Sequence, residues 1–176
     1  PIVLHVSTPS SWRGGEQQLF YLMESLEQQQ VEQYLVCNVE GELYKKANAQ
    51  NWKVEGSSKR SGMDLGFAKK IKSLCVDKGI TCIHAHDSQA HTLTLLATII
   101  FGCKVPVVLS RRVDFPVGGS FFSQYKYNHP MVAKILCVSD AIKEVMRPAI
   151  KNCDLLETVY SGIDMSKFKK VEASNF

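Results

Sequence analysis

Short apolar runs rich in β-branched residues alternate with stretches of helical periodicity along the whole chain, and few architectures accept that order. A strand followed by a crossover helix returns to the sheet in the direction it left, so the strands must pair in parallel. Strand character lies at Ile2–Val6, Tyr34–Val39, Trp52–Val54, Ile80–His84, Val107–Ser110 and Ile135–Val138, with a short run near Thr158–Tyr160. Between them, helices are expected at Glu16–Gln29, Gly41–Gln50, Asp64–Lys78, Ser88–Phe101 and Asp140–Met146. The third starts on an aspartate cap and carries Phe67, Ile71, Leu74 and Cys75 on one face. The fourth is apolar nearly all round, as a helix buried on both sides must be. The expected fold class is α/β, a Rossmann-like, mostly parallel sheet with helices on both faces.

Composition narrows the function classes. A chain of 176 residues that is 45% hydrophobic can bury a core of its own. Its net charge of +4 comes from scattered Lys and Arg, which leaves no basic stripe for nucleic acid. Six cysteines include no Cys-x-x-Cys pair and fall mostly in apolar runs, as reduced core thiols do. No run reaches the roughly 18 apolar residues of a membrane span, so a cytoplasmic location is expected. The chain opens on Pro1 without Met and reads as a processed or trimmed piece.

In open parallel sheets ligands bind at the carboxyl ends of the strands, so the residues just after each strand are the candidates. They are Ser7, Arg13, Gly14 and Gly15, then His86, Asp87 and Ser88, then Ser110, Arg111, Arg112 and Asp114, then Ser139 and Asp140, and last Ser161, Gly162 and Asp164. Carboxylates and hydroxyls bond sugar hydroxyls, and guanidinium forks grip phosphate. The pair Gly14-Gly15 opens the first helix, where backbone N–H groups and the helix dipole favour an anion; the plainer alternative is a tight turn. The pair Arg111-Arg112 is either solvated on a loop or aimed at a phosphate or carboxylate beside Arg13. The segment 111–130, with Gly118-Gly119 ahead of Phe121, Phe122, Tyr125 and Tyr127, is a mobile flap or a short packed helix, the helix being favoured.

Motifs speak against four other chemistries. His84-Ala85-His86 places two imidazoles on one strand face, but a metallo-hydrolase needs further ligands where Ser88 and Gln89 stand, so no metal is expected. Here His84 reads as a buried strand residue and His86 with Asp87 as facing the cleft. The dinucleotide fingerprint Gly-x-Gly-x-x-Gly is missing, as are Gly-x-Ser-x-Gly and the Walker lysine.

Taken in order, Trp12-Arg13-Gly14-Gly15-Glu16, His84-Ala85-His86-Asp87, Pro106 to Ser110, Cys137-Val138-Ser139-Asp140-Ala141-Ile142-Lys143, and Tyr160-Ser161-Gly162-Ile163-Asp164 with Phe168 resemble the amino-terminal half of group 1, family 4-type nucleotide-sugar glycosyltransferases. The resemblance implies a two-domain, retaining, B-type enzyme that needs no cofactor because the nucleotide-sugar is a substrate. It implies that residues 1–170 form the acceptor-side domain and that 171–176 lead towards a donor-binding domain. Gly14 and Gly15 would contact the donor diphosphate; Arg13, Glu16, Arg111, Asp114 and Ser139 the acceptor; Arg112, His86 and Asp87 the reacting groups; and Ser161, Gly162 and Asp164 the interdomain turn. The expected partners are a nucleotide-sugar and a glycan or glycolipid of the cell envelope, one bearing phosphate or carboxylate, with peripheral membrane contact left open. Two departures stand out: Arg112 occupies the place of a family histidine, and no Glu-x7-Glu pattern follows the Ser-Gly-Ile-Asp turn, where the resemblance implies the donor domain would carry it. The chain alone is therefore expected not to transfer sugar. A stand-alone sugar-phosphate or nucleotide binding module and a hydrolase using the His-x-His pair stay as alternatives.

Overall fold

The computed structural model describes residues 1–58 and 63–163. Seven parallel strands form one sheet in the order β3-β2-β1-β4-β5-β6-β7. In chain order they are β1 (Ile2–Ser7), β2 (Glu32–Asn38), β3 (Val54–Ser57), β4 (Cys82–Ala85), β5 (Val107–Arg111), β6 (Val132–Cys137) and β7 (Leu156–Thr158). The helices are α1 (Gly14–Gln28), α2 (Glu42–Ala49), α3 (Leu65–Asp77), α4 (Ser88–Phe101), α5 (Phe121–Tyr127) and α6 (Asp140–Met146). The chain winds outward from β1 through β2 to β3, then crosses back so that β4 pairs with the free side of β1. The order reverses between β1 and β4, which opens a crevice at their carboxyl ends.

The period of two along each strand divides the core. Leu4 and Val6 of β1, Ile83 and Ala85 of β4, Leu109 of β5 and Ile135 of β6 pack with α3 and α4 through Phe67, Ile71, Leu93 and Ala97. On the opposite face Leu35 and Cys37 of β2 meet Leu19 and Met23 of α1 and Leu43 and Ala47 of α2. Over β4, β5 and β6 this second face has no helix of its own among the described residues. A hollow of about 720 Å³ lies there, floored by His5, His84, Val108 and Leu136 and walled by Tyr21 and Leu22 of α1 and by residues 159–163.

The caps expected at Asp64 and Ser139 are present, and Asp87 and Ser120 supply two more. Asp64, Asp87, Ser120 and Ser139 each accept a backbone N–H at the start of their helix. Gly102 ends α4 in the left-handed region at φ 63°, which only glycine adopts without a Cβ penalty. Several strands are offset from expectation: β2 and β4 by two residues at the start, β7 by two at each end, and β3 and β6 for reasons that can be named. β3 starts at Val54 and runs to Ser57, because Trp52 belongs to a side-chain cluster instead: its ring lies 4.7 Å from Phe20 and its Nε1 donates to Glu27 at 3.0 Å. β6 begins at Val132, since Ala133 and Lys134 are exposed and hide the start from an apolar criterion.

Segment 111–130 contains the packed helix rather than a free flap. Lys126 and Tyr127 of α5 are buried, and Lys126 Nζ donates to the Ser88 carbonyl at 2.7 Å, Ser88 Oγ at 3.0 Å and Thr92 Oγ1 at 3.1 Å. The Phe121 ring is left 85% exposed. All six cysteines are free thiols. No helix among the described residues is long and apolar enough to cross a membrane.

Candidate active-site cleft

A cleft of about 370 Å³ occupies the crevice at the carboxyl ends of β1, β4 and β5. Arg13, Gly15 and Glu16 line it from the start of α1, His86, Asp87 and Ser88 from the end of β4, and Ser110, Arg111 and Arg112 from the end of β5. Ligand-type residues separated by almost a hundred positions therefore converge on one cavity.

Gly14 and Gly15 are the first two residues of α1, not a turn. Neither has a positive φ, and a Cβ at either position meets nothing within 4 Å. Backbone geometry and packing thus impose no demand for glycine here, and Gly15, the one of the pair that lines the cleft, presents the start of the helix to it without a side chain. Arg13 precedes them with extended backbone, its N–H donating to Glu16 Oε2 at 2.9 Å.

Asp87 is spent on structure. Its carboxylate accepts from Thr8 N and Thr8 Oγ1, each at 2.8 Å, from Gln89 N at 3.0 Å and from Ala90 N at 2.8 Å. It ties the β1 loop to the start of α4, with three donors on Oδ1 and one on Oδ2. His86 is buried at the cleft floor with its ring nitrogen Nε2 3.0 Å from His5 Nδ1. Burial drives its pKa well below the ordinary value, with His84, His5 and Arg112 adding to the effect, so the ring is neutral.

The two arginines part company because adjacent strand residues face opposite ways. Arg111, the last residue of β5, is 6% exposed; its guanidinium donates to Tyr127 OH at 3.3 Å and to the Phe115 carbonyl and lies 5.0 Å from the Phe115 ring centroid. It holds the segment after β5 against α5, which corrects the solvated reading. Arg112 points to the histidine side and donates to the His86 carbonyl at 3.0 Å. Burial lowers its pKa while Glu16 and Asp87 act in the opposite sense, so the charge persists inside the cleft.

Other expected residues are placed elsewhere. Ser139 Oγ accepts from Ile142 N at 3.3 Å as the cap of α6, and Asp140 accepts from Thr158 Oγ1 at 2.6 Å and Tyr160 OH at 2.7 Å. Neither lines the cleft, nor does exposed Asp114. Ser161 and Gly162 border the hollow beside α1, where the Gly162 carbonyl accepts from Gln18 Nε2 at 2.8 Å. Asp164, Phe168 and the 171–176 tail lie outside the described residues.

Three buried residues in or next to the cleft lining were not singled out by the sequence. His91 lines the cleft from α4, fully enclosed, its ring 5.0 Å from that of Tyr127. It is four residues past the Asp87 cap and so on the same helix face, a signal that was available. Lys126 reads as a surface cation in a short aromatic helix, yet burial lowers its pKa to about 8, with Arg111 adding to the fall and Asp87 opposing it. His5 carries no mark of its role until β1 is paired with β4, which sets it directly beside His84.

The glycosyltransferase family 4 model matches residues 12–167. No curated protein matches the chain by sequence. Among solved structures, Anabaena Alr3699/HepE in complex with UDP and glucose superposes with a TM-score of 0.69 at 15% identity, covering 93% of this chain and 45% of that one. A glycosyltransferase from Rickettsia africae ESF-5 gives 0.74 at 17% identity, covering 94% and 44%. The lipopolysaccharide outer core galactosyltransferase WaaB, in its apo form, gives 0.69 at 13% identity, covering 97% and 47%. The chain thus spans less than half the length of these structural relatives, and the likeness concerns the fold. With the family match extending over nearly all of its sequence, the chain belongs to glycosyltransferase family 4.

Proposed function

We propose that this chain is the acceptor-side half of a retaining, B-type glycosyltransferase that moves a sugar from a nucleoside diphosphate donor to a hydroxyl of a cell-envelope glycan or glycolipid. The observation that carries the reading is the single cleft in which the bare amino terminus of α1 faces Arg112 and His86 across the β1/β4 crevice. Family membership favours this over a stand-alone binding module or a hydrolase. One structural relative holds UDP and glucose, and another is a lipopolysaccharide galactosyltransferase. These support a nucleotide-sugar donor bound through a second domain and an envelope acceptor, with the protein cytoplasmic and at the inner membrane face where the acceptor is a glycolipid.

In such a transfer the bond from the anomeric carbon to the diphosphate oxygen breaks and a bond to the acceptor oxygen forms. The acceptor proton leaves with the departing phosphate. Negative charge grows on the diphosphate, and the Gly14 and Gly15 amides with the Arg112 guanidinium are the groups aimed at it. Neutral His86 orients a sugar hydroxyl by accepting or donating one hydrogen bond. Glu16 and Arg13 serve the acceptor side. The donor carries its own electrostatic handle, so no resident cofactor is required.

The test uses the longest open reading frame that contains this chain. Transfer from UDP-sugars to an envelope acceptor is expected of the long protein and not of residues 1–176 alone. Arg112→Gln in the long protein is expected to lower kcat/KM by about two orders of magnitude, the usual loss of one group that stabilises developing charge. Unchanged kinetics in that variant, with the fold intact by circular dichroism, would remove Arg112 from the chemistry.

A further inference from the structure

The face of the sheet that carries no helix over β4, β5 and β6 among the described residues holds a histidine cluster of which the transferase reading uses only His86. The β1/β4 register sets His5 opposite His84, and the period of two returns His86 to the same face. Ring centroids lie 5.7 Å apart for His5 and His84, 5.2 Å for His5 and His86, and 4.0 Å for His84 and His86. One nitrogen from each ring falls within 4.8 Å of those of the other two. None of the three residues is more than 8% exposed.

Three imidazoles buried against one another cannot all be satisfied by hydrogen bonds among themselves, because one proton joins only two nitrogens. His5 Nδ1 and His86 Nε2 share one contact at 3.0 Å, His84 Nε2 turns to Ser110 Oγ at 2.9 Å, and His86 Nδ1 has no hydrogen-bond partner. A metal ion uses all the inward nitrogens at once. Burial also keeps the rings in their neutral, ligating form: it lowers the pKa of His5 to about 4 and those of His84 and His86 well below the ordinary value. Gln33 stands beside His5, where an outer partner of a metal-ligating imidazole belongs.

We propose that His5, His84 and His86 form a three-histidine site for Zn²⁺ that ties β1 to β4 beneath the cleft. An all-nitrogen donor set selects a borderline transition ion over Mg²⁺ or Ca²⁺, which take oxygen ligands. The fourth position falls to water or to the neighbouring Ser110 hydroxyl. Arg112, close to His84 and His86, opposes the ion's charge, and Glu16 and Asp87 beside the guanidinium offset it. The sequence reading sought the missing ligand downstream of the His-x-His pair, whereas the third histidine comes from the adjoining strand. The site shares His86 with the sugar-transfer reading but is tested apart from it, since its test needs no substrate.

The experiment strips the purified chain with a chelator, dialyses it against Zn²⁺ and counts bound ions by elemental analysis, with melting temperature followed against Zn²⁺ concentration. One ion per chain and a concentration-dependent rise in Tm are expected. His5→Gln is expected to lose both, and His129→Gln, outside the cluster, to keep both. Co²⁺ substitution is expected to give visible d–d bands without near-ultraviolet thiolate charge transfer, which separates imidazole ligation from capture by the six cysteines. Failure of the stripped chain to retain Zn²⁺, full binding by His5→Gln, or a thiolate band would overturn the proposal. Where His5→Gln loses its native circular dichroism, the wild-type Co²⁺ spectrum decides, and absence of d–d bands counts against the site.

Discussion

Arg111 and Arg112 are chemically identical neighbours with opposite fates, and the alternation of a single strand separates them. Arg111 is a pillar: removing it leaves the buried Tyr127 hydroxyl and the Phe115 carbonyl without their donor. Arg111→Ala is therefore expected to cost about 1–3 kcal/mol in a urea melt, the usual penalty for orphaned buried partners. His91 makes a different residue-scale prediction. Burial, reinforced by Lys126, holds it neutral in the folded chain, while the unfolded chain takes up a proton below about pH 6.5. Since the unfolded state then binds more protons, stability is flat above that pH and falls as pH drops below it, by up to about 1.4 kcal/mol per pH unit from this residue. Urea midpoints measured from pH 7 downward should fall less steeply for His91→Gln than for the parent. Neither fate was legible in the sequence, where an Arg pair after a strand and a histidine in an apolar helix show residue type but not which face each will take.

At the scale of the element, α1 is the informative case. Its stripe of Leu19 and Met23 against β2 fixes where the helix lies, and its first two residues are glycines for which neither φ nor packing gives a reason. Gly15→Ala is expected to stabilise the isolated chain by up to about 1 kcal/mol, because alanine loses less backbone entropy in a helix. In the long protein the same change should raise the KM for the nucleotide-sugar, since a methyl group then stands where a phosphate approaches. Stabilisation without any kinetic effect would leave the glycine pair without a function. Helices and caps were read from sequence most faithfully, with α4 and α6 matching to the residue, because side-chain oxygens and glycine mark helix ends locally. β3 was misplaced because its pairing runs through main-chain bonds to β2, and its sequence Val54-Glu55-Gly56-Ser57 has no apolar signature.

At the scale of the molecule, the order of α/β units was enough to foresee a parallel sheet, and the switch between β1 and β4 follows from the outward winding of the first three strands. The cleft was legible only in part: the residues after the strands could be collected and Ser139 read as the cap of α6, but only packing shows that Asp87 caps α4, that Asp140 bonds Thr158, and that Lys126 reaches the start of α4. The central seam has one more consequence. Ile2 N donates to Thr81 Oγ1 across 79 positions, so the two middle strands cannot meet until nearly half the polypeptide is available. Closing so long a loop is slow compared with forming a helix or joining β1 to β2. Pulse-labelled hydrogen exchange during refolding should find the amides of β2 protected before those of β4. On the ribosome, the floor of the cleft would then take shape late, after the flanking unit had already condensed.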